Sequence, residues 1–530
     1  MLITHRAASG TALARGLAEV LAVPGADPFS AEVVAVPAKG VERWLAQRLS
    51  HVLGTDSGDG VCANVAFPWP STLVDETLQA TSTAHAEAVE RWAPARAVWP
   101  LLDVIDASVP GEPWCRSLAQ HLGTDAEDKG RRLAVARRLA GMYDEYGQSR
   151  PAMLRAWAAG RDERGDGTPL DGDLHWQAEL WRRLRDALAT PSPAELLDDA
   201  CQQLRDQPRL STLPDRVSVF GASRLSPARL QVLAALAAHR DVHLWLHHSS
   251  PALWDTVAGT TPSLRRANDQ TRTALRNPLL TSLSRDVLEL QQLVARTASG
   301  SGTVLHPSAP APATLLGRLQ QDLADDHVPA EPQPLADGDR SVQVHACHGR
   351  TRQVEVLREV IVGLLADDPT LEPRDVLVMC PDVETFAPII AATFAIGAED
   401  HAAGAAHPAA RLRVRLADRA LRQTNALLAV LSQLLELGSA RLTASQLLDL
   451  AGTPAVRQRF GFDDDALERL RDWTVDAGVR WGLDGEHRAT WALGDVTQGT
   501  WRDGLDRLLL GAAMEGALDS WGDVVPLDDV

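Results

Sequence analysis

A strand, a turn and a helix follow one another in Met1–Leu21, MLITHRAASGTALARGLAEVL. Met1–His5 predicts a short strand, and Thr11–Leu21 predicts a helix because its apolar residues recur at helical spacing. The unit then repeats, with a strand predicted over Glu32–Pro37 and an amphipathic helix over Gly40–Leu53. A repeated strand–turn–helix unit is typical of an α/β fold with a parallel sheet.

Strand signals return further along the chain, separated by long helical stretches. They lie at Arg216–Phe220, Asp241–His247, Ser341–Ala346 and Asp375–Cys380. Between them, helical periodicity dominates from about residue 70 to about residue 210, and a Pro- and Gly-rich segment begins at Gly300. The pattern therefore predicts two parallel-sheet lobes, each carrying a large helical insertion.

These signals divide the chain into five predicted parts. Residues 1–70 and 205–300 are predicted to form the first α/β lobe, with residues 71–204 as its helical insertion. Residues 301–340 are predicted to be a linker region. Residues 341–417 would begin the second α/β lobe, and residues 418–530 would be its helical insertion, which the chain leaves truncated.

Composition sets the outer limits. The 530 residues carry 52 Lys+Arg and 70 Asp+Glu, a net charge of −18, and length alone suggests about three or four domains. An acidic chain argues against a non-specific polyanion binder, although a basic channel can lie inside an acidic exterior. Without a long apolar run or a secretory signal, the sequence predicts a cytoplasmic protein that has no membrane partner and keeps its five cysteines reduced.

Lysine usage excludes one class of activity. The chain contains only Lys39 and Lys129, and neither lies in the G-x-x-x-x-G-K-[ST] pattern that a P-loop requires. The segment His5–Thr11 occupies the position of a phosphate-binding loop, but it has one glycine and no lysine. We therefore expect a structural turn there, and no nucleotide cofactor in this chain.

Metal and nuclease sites find little support in the sequence. His345-Ala346-Cys347-His348 groups three potential ligands, but no second cluster at zinc spacing follows. Acidic runs such as Asp463–Asp465 lack the nearby lysine that nuclease chemistry favours. We predict no catalytic, cofactor-binding or metal-binding residues.

The candidates for nucleic-acid binding are arginines, aromatics and polar residues near helix starts and ends. Aromatic faces can stack on bases, and arginine can pair with phosphates or guanine edges. The alternative is that each aromatic packs in a core, as the helical spacing of Trp44 suggests, and that each arginine is a solvated surface charge. The candidates are Lys39, Arg43, Trp44, Trp69, Asp144 and Arg150.

Several blocks in a fixed order make the whole chain resemble the RecC family, the gamma subunits of exodeoxyribonuclease V. They include ANVAFPWP (Ala63–Pro70), RVSVFGAS (Arg216–Ser223), HACH (His345–His348) and AGVRWGLD (Ala477–Asp484). The resemblance implies two superfamily 1 helicase-like lobes of P-loop type whose ATPase motifs have degenerated. This agrees with the missing lysine.

The resemblance also implies a function and partners. Family members work with the beta and alpha subunits, RecB and RecD, which would hold the ATP and Mg²⁺ that this chain lacks. They split double-stranded DNA ends, channel single-stranded DNA and scan one strand for a recombination hotspot. The family's scanning positions fall on Pro37–Trp44, Trp69, Asp75 and Gly141–Glu145 with Arg150; Asp144 and Arg150 match the family in residue type.

Two other readings remain open at this stage. Family members are about twice as long as this chain, so it corresponds to an N-terminal half, and it could be a truncated product without a function of its own. The enzyme-class alternative is an active helicase–nuclease subunit of the related AddB type, which the lysine count disfavours. We expect no intrinsic enzyme activity.

Overall fold

The computed structural model describes the chain except residues 26, 28, 54–59, 124–128, 259, 261–267, 298–301, 396–411, 413, 415–424, 515–519, 521–523 and 528–530. The chain divides into two compact units, Met1–Val344 and His345–Val530. Each unit is described by itself below.

A six-stranded sheet forms the centre of the first unit. Its strands are parallel, in the order β3-β2-β4-β5-β1-β6. The predicted α/β class is therefore confirmed. The strand bounds are β1 Leu2–Ala7, β2 Glu32–Ala35, β3 Val65–Ala66, β4 Arg216–Phe220, β5 Asp241–His247 and β6 Gly302–Leu305.

The two central strands are almost wholly buried, as expected for a parallel sheet covered on both faces. Val219 and Leu244 face one apolar core, and Phe220 and Trp245 face the other. The predictions for β4 and β5 match the observed bounds, because each strand is an apolar run ended by a turn residue or a charge.

Fifteen α-helices are described in this unit, and eight of them lie between β3 and β4. Their bounds are α1 Gly10–Leu21, α2 Lys39–Ser50, α3 Pro70–Gln79, α4 Thr83–Trp92, α5 Pro94–Ser108, α6 Arg116–Leu122, α7 Lys129–Ser149, α8 Pro151–Ala158, α9 His175–Leu188, α10 Pro193–Asp206, α11 Pro227–Leu236, α12 Pro251–Val257, α13 Pro278–Leu283, α14 Arg285–Thr297 and α15 Leu315–Ala324.

The helices between β3 and β4 have a core of their own. Trp157 and Trp181 are fully buried, with ring centroids 6.1 Å apart, and Trp92 lies 5.5 Å from Trp181. Offset or edge-on aromatic pairs of this kind stabilise a core beyond their buried area. The aromatic residues of this region are therefore largely structural.

Two strands of this sheet, β3 and β6, were not predicted from the sequence. β3 has only two residues, and β6 lies inside residues 301–340, which the sequence had assigned to a linker. β6 is a strand because its backbone pairs in parallel with β1, with Ile3 opposite Gly302 and Arg6 opposite Leu305. Its own four residues, all exposed, carry too weak a signal for sequence alone.

The second unit is helical among the residues described. Near its start, α16 (Gly349–Asp367) packs on α17 (Val383–Ala395) through Val354, Ile361, Ile390 and Phe394. The remaining helices are α18 Ala426–Leu437, α19 Ala444–Ala451, α20 Pro454–Phe460, α21 Asp464–Asp476, α22 Gly485–Ala489 and α23 Trp501–Ala513.

The strands predicted for a second sheet are wrong as strands. Neither Ser341–Ala346 nor Asp375–Cys380 pairs with another segment in the described part of the chain. Val344, Leu377 and Met379 are 93%, 84% and 88% exposed. A strand needs a neighbour to satisfy its backbone groups, so apolar pattern alone did not make a sheet here.

Candidate nucleic-acid interface

The turn between β1 and α1 is very short. Only Ala8 and Ser9 separate the two elements, and the Ser9 hydroxyl accepts a hydrogen bond from the Ala12 backbone N–H at 3.1 Å. The ring of Trp44 lies 3.4 Å from the point where a side chain on Gly10 would begin. The helix start is thus capped by its own serine, and an aromatic ring lies over its first residue.

Lys39 and Trp69 come to the same edge of the sheet. β2 and β3 are parallel neighbours, with Glu32 opposite Val65, so the segments that follow them leave the sheet on the same side. The Val36 N–H donates to the Pro68 carbonyl at 3.0 Å and joins those segments. Lys39 then begins α2, and Trp69 immediately precedes α3.

The side chains at this edge differ in what they can offer a ligand. The Trp69 ring is 47% exposed and can present a face for stacking. Lys39 Nζ lies 2.7 Å from the carboxylate of Glu42, so its charge is partly compensated. Arg43 is exposed on the next turn of α2.

Trp44 is part of the core wall. It is half-buried, with its ring centroid 6.3 Å from that of Phe220, in the cluster that also contains Leu45 and Leu49. This is the packing role that its helical spacing suggested.

Asp144 faces a separate pocket of about 260 Å³. Asp75 on α3 and Arg229 on α11 line the same pocket. Partial burial raises the pKa of both carboxyl groups, and each has an acidic neighbour that raises it further, while Arg229 opposes the shift. The pocket thus places two carboxyl groups of raised pKa beside one guanidinium, so hydrogen-bond acceptors and donors lie together on a partly apolar wall.

Arg150 lines another cavity, of about 480 Å³. Arg150 is exposed immediately before α8, and its backbone N–H donates to the backbone carbonyl of Tyr146 at 2.7 Å. Tyr146 and Arg164 line the same cavity, and Arg164 forms an ion pair with Asp171. An exposed arginine can pair with a phosphate, whereas the Tyr146 ring packs edge-on against Trp157 with centroids 6.0 Å apart.

The six predicted candidates therefore do not form one site. Lys39 and Trp69 share a sheet edge, whereas Asp144 and Arg150, six residues apart, line different cavities. Sequence reasoning missed Arg229, and a signal existed, since it is the only charged residue in the apolar helix PARLQVLAAL.

A chain of three histidines beneath α1 was also missed. His5 lies between His243 and His306, with nitrogen–nitrogen distances of 2.9 Å on each side, and its ring stacks on Trp245 at 3.7 Å. Burial, together with the charges of the two neighbouring histidines, lowers the pKa of His5 to about 3. The three residues lie on or beside three neighbouring strands, so only the sheet brings them together.

The described residues include neither a candidate metal site nor a candidate membrane span. No group of three or more His, Cys, Asp or Glu side chains there could hold a metal ion. His345 and His348 of the HACH block are exposed, and they do not lie on the strand that sequence predicted. Among the helices that the structure describes, none combines the length and apolar character needed to cross a bilayer.

Comparison with known proteins gives the same family for both halves of the chain. Residues 2–326 match the family model "RecC, N-terminal domain", and residues 424–530 match "RecBCD enzyme subunit RecC fourth domain". The chain is 49% identical to the RecBCD enzyme subunit RecC of Mycobacterium tuberculosis (strain H37Rv), over 99% of this chain and 47% of that protein.

Two further relatives belong to the same family. The corresponding subunits of Mycolicibacterium smegmatis and Escherichia coli (strain K12) are 47% and 28% identical, over 99% and 95% of this chain. The matches cover 47% of each of those proteins, so the chain spans about half the length of the curated relatives it matches.

Proposed function

The chain belongs to the RecC family, and from that membership we propose that it acts as a non-catalytic, DNA-binding scaffold of a RecBCD-type helicase–nuclease. Its partners would be the beta and alpha subunits, RecB and RecD, together with double-stranded DNA ends and single-stranded DNA. It would work in the cytoplasm, in the repair of double-strand breaks by homologous recombination.

The observation that carries the non-catalytic part of the proposal is the turn between β1 and α1. A P-loop surrounds phosphates with successive backbone N–H groups and a lysine. Here two residues make the whole connection, Ser9 already satisfies an N–H of the first helical turn, and Trp44 covers Gly10. ATP and Mg²⁺ would therefore be held by the partner subunits.

The proposed DNA contacts divide between two kinds. Trp69 offers an exposed ring at the same sheet edge as Lys39, and Arg150 offers a guanidinium in the cavity that Tyr146 also lines. Base stacking on tryptophan and phosphate pairing with arginine together favour single-stranded DNA, because its bases are not held in a duplex. Asp144 would approach a base edge, since a carboxylate accepts hydrogen bonds from exocyclic amino groups.

ATP hydrolysis by the purified chain tests the scaffold proposal against the AddB-type alternative. We expect no turnover with or without DNA. Turnover that a Ser9 or Thr11 substitution abolishes would contradict the proposal. Co-purification with co-expressed beta and alpha subunits tests the third reading, because a product without function would not join them.

Arg150→Ala tests the single-strand contact. If Arg150 pairs with a phosphate, the substitution weakens binding of a labelled single-stranded oligonucleotide by about 1 kcal/mol and lowers the salt dependence of binding. Arg161→Ala is the control, since Arg161 is also exposed but pairs with Glu163 at 3.1 Å and does not line the cavity of Arg150. Equal binding by the two variants over a salt series would show that Arg150 makes no DNA contact.

A further inference from the structure

An open groove of about 660 Å³ in the first unit is lined by three arginines, and the candidates above include none of them. Arg272 precedes α13, Arg276 lies in the segment leading into it, and Arg285 begins α14. Among the described residues that line it, Asp269 is the one acidic side chain. The groove is thus basic in a chain whose net charge is −18.

The groove lies toward the edge of the sheet where ligands of open α/β proteins bind. Its residues follow the carboxyl end of β5, and α14 leads from Arg285 back toward the start of β6, packing against α11 on the way. The first turn of α14 is therefore on the carboxyl side of the parallel strands. Ligands of such sheets bind outside those carboxyl ends.

A hydrogen-bond network around Asp326 and Asn277 fixes the backbone of the loop that carries Arg276. The buried carboxylate of Asp326 accepts the backbone N–H groups of Arg276 and Asn277, at 3.0 and 2.8 Å. The Asn277 side chain in turn accepts the Leu279 N–H at 3.0 Å and donates to the His327 carbonyl at 2.9 Å. This network fixes the backbone and leaves the Arg276 side chain exposed.

The carboxylates close to the groove are already engaged. One oxygen of Asp269 accepts both the backbone N–H and the hydroxyl of Thr271, at 3.1 and 2.6 Å. Asp286, next to Arg285, forms an ion pair with Arg224 at 2.7 Å. Within the described part of the chain, Arg272 donates to the Thr281 carbonyl at 3.4 Å, and a guanidinium has five N–H donors in all.

We propose that this arginine groove, Arg272–Arg276–Arg285, binds the phosphate backbone of a nucleic-acid strand. The proposal rests on the proposed function and adds to it a contact that reads no bases. Arginine forks pair with phosphate oxygens in two-point geometry, and contacts of this kind position a strand without specifying its sequence. The groove is open, as a continuous polymer requires, and its walls are preformed.

The test uses the full chain and the double variant Arg276→Gln/Arg285→Gln. Both changes remove charge at surface positions, so thermal unfolding should be unchanged and serves as the check on folding. The matched control is Arg352→Gln, an exposed arginine of the second unit that pairs with Glu355 at 3.0 Å. Fluorescence anisotropy measures binding of an oligothymidylate strand and of a duplex over a salt series.

We expect the double variant to bind about tenfold more weakly at moderate salt, and the slope of log K against log salt to fall by about 1 for each arginine lost. The control should match the wild type. The strand or duplex arm that shows the larger loss identifies which form the groove holds.

The contrary outcomes separate the two proposals. If the wild type binds DNA and the double variant keeps the same affinity and slope, the groove proposal is wrong and the DNA scaffold stands. If the wild type binds neither probe, the proposed DNA function fails and the groove falls with it. If the variant loses binding of polyglutamate but not of DNA, the groove is an acidic-protein site and the proposal is overturned.

Discussion

Two buried histidine environments in the first unit show what a single residue contributes. His5 shares both ring nitrogens with neighbouring histidines, whereas His85 on α4 is 1% exposed and neither of its ring nitrogens has a hydrogen-bond partner among the described residues. Burial lowers the pKa of His85 to about 4. A buried polar group without a partner costs about 1–3 kcal/mol of stability.

His85→Leu should therefore stabilise the chain by about 1 kcal/mol at pH 7.5, since it removes an unsatisfied group and keeps the volume. The folded-state pKa lies below the ordinary value of 6.5, so the fold favours neutral His85. The part of the unfolding free energy that is linked to this pKa is complete above pH 6.5 and is lost as the pH falls from about 6.5 to about 4. Urea unfolding from pH 7.5 to pH 4.5 should show a shallower loss in the variant.

His5→Phe provides the contrast for that experiment. It preserves stacking on Trp245 but leaves His243 and His306 each without one partner, so it should destabilise the chain at pH 7.5. A His85→Leu variant that is less stable than the wild type at pH 7.5, or equally sensitive to acid, would contradict the account of His85.

At the scale of the element, helical glycines show how packing overrides propensity. Gly504 on α23 lies against Val479, and a Cβ at position 504 would fall 2.3 Å from a Val479 methyl group. Gly363 on α16 is exposed, with nothing near the position of a Cβ. Alanine is favoured over glycine inside a helix by about 1 kcal/mol, so the two positions should respond in opposite directions.

Gly363→Ala should stabilise the second unit by up to about 1 kcal/mol, whereas Gly504→Ala should destabilise it by about 1–3 kcal/mol through overpacking. Hydrogen exchange of peptides from α16 and α23 measures each change where it occurs. A stabilising Gly504→Ala would mean that α23 does not pack this tightly on Val479.

At the scale of the whole molecule, the chain has two units with separate cores. Residues 328–338 near their boundary are exposed and carry neither helix nor strand. Backbone that is exposed and not held by regular hydrogen bonds is where proteases cut first.

Mild trypsin treatment should therefore cut first after Arg340, which is also exposed. Mass spectrometry of the earliest products should then find new chain ends at Arg340 and Ser341. Arg340→Gln should remove this cut and leave circular dichroism unchanged. An initial cut within α7 or α16 would contradict the division into two compact units.

The candidate site was only partly within reach of the sequence. Local patterns agree with the positions of three candidates: Trp69 and Arg150 are exposed at helix N-caps, and Trp44 packs on the core. The reason is that a cap position or a helical spacing depends only on neighbouring residues. The pocket of Asp75, Asp144 and Arg229 draws on three helices far apart in the chain. No local pattern indicates that those three will meet.

The sequence by itself determined the α/β class, the strands β1, β2, β4 and β5 and the absence of a P-loop lysine, because burial periodicity and residue identity are local properties. Only the tertiary structure decided the rest. β6 became a strand because β1 offered it an edge, the segments predicted for a second sheet found no neighbour among the described residues, and His5, His243 and His306 came together across three strands. Strand pairing and side-chain convergence depend on residues distant in the chain, so their cause lies in the fold.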